Sequence, residues 1–135
     1  MNDAVIQWLD SALMDLRNIE KIMEDSFLTP IACFHAQQCI EKTLKAALEG
    51  CQCNIPKTHD LVRLYGLLPS KEIIIDVEMN QLQTISDLYI ETRYPGDAGM
   101  MPDGKPTIRD VMEFYGFAKK ISVEFKDVLC RGENR

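Results

Sequence analysis

The chain has 135 residues, is 46% hydrophobic and 27% charged, and carries a formal charge of −6. That length fits one domain with a sizeable core, and the composition excludes disordered, collagenous and disulfide-rich classes. No apolar run reaches the length of a transmembrane helix, the start MNDAVIQWLD lacks a basic signal region, and the acidity disfavours a broad nucleic-acid surface.

The first helical pattern runs roughly from Asp3 to Ser26. Val5, Trp8, Leu9, Ala12, Leu13, Leu16, Ile19, Ile22 and Met23 recur at steps of three and four, forming one apolar stripe. Asn2 and Asp3 are its capping residues. The second pattern runs roughly from Pro30 to Glu49. Thr29 suits the N-cap, Pro30 the first helical position, and Gly50 the left-handed position past the end. The run GCQCNIPK is a loop. Thr58 then caps a short helix from Asp60 to about Leu68, with Pro69 just beyond.

The fourth pattern begins near Glu72 and runs to about Thr92, with Ile75, Met79, Leu82, Ile85, Leu88 and Tyr89 on its inner face. KEIIIDV also fits a short strand, but no second strand pattern is present to pair with it, so helix is favoured. Pro95 disfavours helical geometry at Tyr94, which ends this helix by Arg93. GDAGMMPDGKP is the longest irregular stretch. The last helix begins at Thr107, with Asp110 completing a capping-box variant, and continues through Val111, Tyr115, Ala118, Ile121, Phe125 and Val128 to about Cys130. The tail RGENR is expected to fray. The fold class is therefore all-α: an up-and-down antiparallel bundle of four long helices plus one short helix, in a single domain over residues 1–135.

Acids outnumber bases in residues 1–28 and 71–95, and the remaining segments together carry a slight positive excess. A cleft attracting an anion is expected from the second, short and last helices, with Arg93 joining from the end of the fourth. In the second helix, small and apolar residues from Ala32 to Ala47 cover one side. The other carries Phe34, His35, Gln37, Gln38, Glu41, Lys42 and Lys45. Pattern alone favours a solvated face with an internal Glu41–Lys45 pair. The sharper reading is a polar stripe facing a cleft or a second subunit, where the amides of Gln37 and Gln38 donate and accept in fixed geometry. In THDL, the cap reading of Thr58 and Asp60 competes with His59 as a ligand contact. In YIETRYPGD, Arg93 either complements a helix end or grips phosphate, and Tyr94 stacks on a base or donates its hydroxyl.

Together, FHAQQCIEKTLKAAL, THDL and YIETRYP resemble, in order and spacing, the HEPN domain, and the resemblance covers essentially the whole chain. It implies a bundle of four long helices with a short additional one, commonly a homodimer. HEPN proteins are often encoded beside a minimal nucleotidyltransferase, the pair resembling a toxin–antitoxin module, and some members are linked to nucleotide binding. Many others are metal-independent ribonucleases that use an Arg followed after a few residues by His. Here no His follows Arg93, since His35 and His59 both precede it. The Arg-Tyr-Pro form instead resembles the nucleotide-binding branch.

The reading that follows is a cytoplasmic nucleotide-binding module without catalysis of its own, the partner of a minimal nucleotidyltransferase. Its ligand is a nucleotide of the ATP or GTP class, with or without Mg. In that reading Lys42, Lys45 and Arg93 neutralise phosphates. His35, Gln37, Gln38 and Tyr94 orient base or sugar, His59 and Asp60 brace the pocket, and Glu41 holds a lysine. Two alternatives stay open: a ribonuclease using His35 or His59 with Arg93 across a dimer, and a non-catalytic dimeric interaction protein. Neither an RNA partner nor membrane association is expected. No structural metal is expected either: Cys51-x-Cys53 with His59 does not match zinc spacings, and no fourth ligand is evident. The five cysteines, an odd number, fit free thiols in a reducing compartment, with Cys33, Cys39 and Cys130 as small buried hydrophobes.

Overall fold

Each helix end has an identifiable cause. The computed structural model describes residues 1–69, 76–91 and 104–133. α1 spans Asp3–Ile22, and the Asn2 side chain caps it by accepting from the Val5 amide at 2.9 Å. It stops four residues before the expected end. Asp25 instead starts a single 3₁₀ turn over Ser26–Leu28 by accepting from Phe27 N at 2.9 Å. α2 spans Thr29–Gly50, with Leu28 at the N-cap position. Thr29 is thus the first helical residue and not the cap; its hydroxyl turns back toward the Ser26 carbonyl at 3.4 Å.

The far end of α2 also differs from expectation. Gly50 stays helical, and Gln52 takes the left-handed conformation at φ 58°. The Gln52 amide donates to the Glu49 carbonyl and the Cys53 amide to the Leu48 carbonyl, each at 3.0 Å. These are the paired bonds of a Schellman cap. Gly50 serves close packing instead: a Cβ there would lie 2.9 Å from Leu129 Cδ2.

α3 is one short helix, Leu61–Gly66. Asp60 caps it, accepting from Arg63 N at 3.1 Å. Thr58, the expected cap, accepts from Asp60 N at 3.2 Å and so shapes the turn before it. α4 spans Met79–Glu91. Asp76, Val77 and Glu78 are not helical, because the Glu78 carboxylate accepts from the amides of Asn80 and Gln81 and starts the helix there. The strand alternative for KEIIIDV, apart from Asp76 and Val77, lies outside the described residues. So do Thr92, Arg93, Tyr94, Pro95 and most of GDAGMMPDGKP. α5 spans Ile108–Glu133, three residues past the expected end. Its capping box is reciprocal: Thr107 N donates to Asp110 Oδ2 at 2.9 Å, and Asp110 N donates to Thr107 Oγ1 at 3.0 Å.

α2 is the centre of the bundle. α1, α3, α4 and α5 all pack against it. Its small residues Ala32, Cys33, Ala36, Ala46 and Ala47 are fully buried and let neighbouring backbones approach closely. Ile40, Leu44 and Leu48 join Ile19 of α1, Leu82, Ile85 and Leu88 of α4, and Phe125 of α5 in the main core. A second cluster of Val5, Leu9, Ala46 and Leu129, with Trp8 against it, closes the end of the bundle where α2 terminates. Every regular element among the described residues is helical, and none is long and apolar enough to cross a membrane.

Candidate functional site

The polar side of α2 is divided: Phe34, His35, Gln38 and Lys42 are partly exposed, and the other three residues are buried. Gln37 is 0%, Glu41 4% and Lys45 9% exposed, although all three are polar. Burial of such groups is costly unless each is paired. The pairing is complete, since no buried side-chain nitrogen or oxygen among the described residues lacks a partner.

Glu41 is the hub of one cluster. Its Oε2 accepts from Lys45 Nζ at 3.0 Å. Its Oε1 accepts from Gln37 Nε2 at 3.2 Å, from His59 Nδ1 at 2.9 Å and, more weakly, from Gln38 Nε2 at 3.5 Å. Gln38 Nε2 also donates to Gln37 Oε1 at 2.7 Å, and Gln37 Nε2 reaches the His59 carbonyl at 3.0 Å. A carboxylate offers only acceptors, so His59 Nδ1 carries the proton and Nε2 is the remaining ring nitrogen. The His59 imidazole, 48% exposed, stacks on Tyr89 of α4 with centroids 3.7 Å apart and planes 13° from parallel. Phe34 lies beyond, 5.9 Å from Tyr89. Lys45 also sits 5.6 Å over the Trp8 ring, tying this cluster to the second core.

Asp15 of α1 is the hub of the other. It accepts from His35 Nδ1 at 2.9 Å and from Lys42 Nζ at 2.8 Å, and is itself buried. Both bonds cross from α1 to α2. The two lysines expected to meet phosphate are therefore each held by a buried carboxylate. Among the described residues the partners come from α1, through Asp15, and α4, through Tyr89, whereas the charge distribution pointed to the second, short and last helices with only Arg93 from the fourth.

The structure thus gathers His35, Gln37, Gln38, Glu41, Lys42, Lys45 and His59 into two adjoining networks. Asp60 stands apart as the α3 cap. Arg93 and Tyr94 lie outside the described residues. Asp15, Tyr89 and Phe34 join the site without having been assigned to it. Asp15 had a signal: it falls three residues after Ala12 and four before Ile19, inside the apolar stripe of α1. Tyr89 reads as an ordinary inner-face residue of α4, and nothing in the sequence marks its ring for His59. Ser86, on the same face, accepts from the Leu61 amide at 2.9 Å and fixes the start of α3 against α4.

The cysteines divide by burial. Desolvation pushes the Cys33 and Cys39 thiols up to about 12, which makes them inert. Among the described residues no group of three or more His, Cys, Asp or Glu side chains is arranged to hold a metal ion.

The family model of the HEPN domain matches residues 5–127. No curated protein matches the chain. Among solved structures, the crystal structure of an archaeal HEPN homologue is similar. It has a TM-score of 0.69 at 25% identity, over 96% of this chain and 99% of that one.

Proposed function

The chain belongs to the HEPN domain family, and on that premise we propose that it is a nucleotide-binding module without catalysis of its own. In this proposal it acts as a homodimer and as the partner subunit of a minimal nucleotidyltransferase, in a toxin–antitoxin-like pair. The observation that carries nucleotide recognition is the half-exposed His59 ring stacked on Tyr89, with Phe34 behind it. Planar rings held in this way accept a base by further stacking, whatever its sequence identity. Glu41 fixes the imidazole, so its plane is set before any ligand arrives. Lys42 and Lys45 are engaged with Asp15 and Glu41, so phosphate recognition falls to Arg93, four residues after Tyr89 in the sequence.

Isothermal titration with ATP, GTP and UTP, with and without magnesium, tests this. Micromolar binding is expected, abolished in Arg93→Ala. Tyr89→Ala should weaken it about tenfold or more, the range of one base–aromatic stack. Absence of binding by folded protein would overturn the proposal. The second reading, a non-catalytic interaction protein, is favoured by the complete pairing of the polar network, which fits a structural role as well as a binding one.

A further inference from the structure

Cys51 and Cys53 stand at the end of α2, and neither has a part in the His59–Tyr89 site. Cys51 is the helix C-cap, and its amide donates to the Ala47 carbonyl at 3.1 Å. Cys53 follows the left-handed Gln52, and its amide donates to the Leu48 carbonyl at 3.0 Å. Both residues are therefore pinned by backbone bonds, Cys51 by the last turn of α2 and Cys53 by the Schellman cap. The Cys53 thiol points back along the turn, donating to the Cys51 carbonyl at 3.8 Å. Both are partly exposed, whereas Cys33 and Cys39 are sealed in the core.

We propose that Cys51 and Cys53 form a redox-reactive pair that closes reversibly to a disulfide by exchange with small disulfides of the oxidised-glutathione class. The two thiols flank one residue of a single turn, and the Cys53 thiol already points back toward Cys51, so closure joins immediate neighbours at the end of α2. Burial and the neighbouring Cys53 raise the Cys51 thiol, so Cys53 attacks first and Cys51 resolves. The Cys53 thiolate bonds to one sulfur of the oxidant and expels the other as a thiolate, leaving a mixed disulfide on Cys53. The Cys51 thiolate then attacks Cys53 Sγ and expels the second small thiolate. The two protein thiols are oxidised by two electrons and their two protons go to the expelled thiolates. The oxidant is reduced to two thiols. A ring that spans a single intervening residue is strained, which keeps the bond easily reduced.

Incubation of the full chain with oxidised glutathione, followed by peptide-level mass spectrometry, tests the pair. The tryptic peptide spanning residues 46–57 contains both cysteines. It is expected to lose the mass of two hydrogens, to resist alkylation, and to recover both properties with dithiothreitol. The Cys51→Ser variant should trap a glutathione adduct on Cys53, at a level about tenfold above that of the unaltered chain, because the resolving thiol is gone. Equal adduct on Cys53 in both proteins, or two thiols that stay fully alkylatable, would overturn the proposal.

Discussion

The two buried carboxylates of this bundle have similar partners and opposite architecture. Asp15 and Glu41 each accept from one lysine and one histidine Nδ1. Asp15 takes both across an interface, from α2 to α1. Glu41 takes most of its donors from its own helix, at Gln37, Gln38 and Lys45, and only His59 comes from elsewhere. The first therefore clamps two helices. The second builds a rigid local socket and uses it to aim one ring. Similar chemistry serves stability in one place and positioning in the other.

Removing each hub separates the roles. Glu41→Ala leaves the Lys45 ammonium buried without a counter-charge, and about 3–5 kcal/mol of destabilisation is expected in urea unfolding. Adding Lys45→Met should restore a large part of that loss, because it removes the orphaned charge. If it restores none, the cost lies in the amide and His59 contacts instead. Asp15→Asn should cost less, about 2 kcal/mol, because His35 and Lys42 keep partial access to water. An Asp15 effect larger than that of Glu41 would break the comparison.

A carboxylate contact at the surface gives the small end of the scale. The Tyr115 hydroxyl donates to Glu20, and burial together with that bond holds the phenol up to about 12. The fold thus favours neutral Tyr115. Its contribution is complete below pH 10, the ordinary tyrosine value, and is lost as pH rises from 10 to about 12. Tyr115→Phe should cost about 1 kcal/mol at neutral pH and flatten the stability loss across that alkaline window.

Local chemistry was the legible part of the sequence. The Asn2 cap and the Thr107–Asp110 box depend on residues within one turn, and both appear as expected, while the apolar stripes hold except at Leu13 and Met79, which are exposed. Gly50 misled because a glycine past a periodic run has two uses. Here the approach of Leu129 decides between them, and Gln52 bears the left-handed strain. The polar face of α2 stands out in the sequence, and the Glu41–Lys45 pair is present. Its burial was not legible, because it depends on where α1 and the segment before α3 settle. The same distance effect hid the partner of Lys42. Asp15 precedes it by 27 residues, and no spacing rule links them.

The central position of α2 also sets an order of opening. Its amides from Cys39 to Leu48 lie under other helices on every side, so they exchange with solvent hydrogen only when the whole bundle opens. The turn from Cys51 to Asp60 is fastened to that core through Cys53 and Ile55 and through the Gln37 bond to the His59 carbonyl. His59 is thus tied, through Glu41, to the part of the bundle that opens last, so its ring should keep its place through every smaller fluctuation.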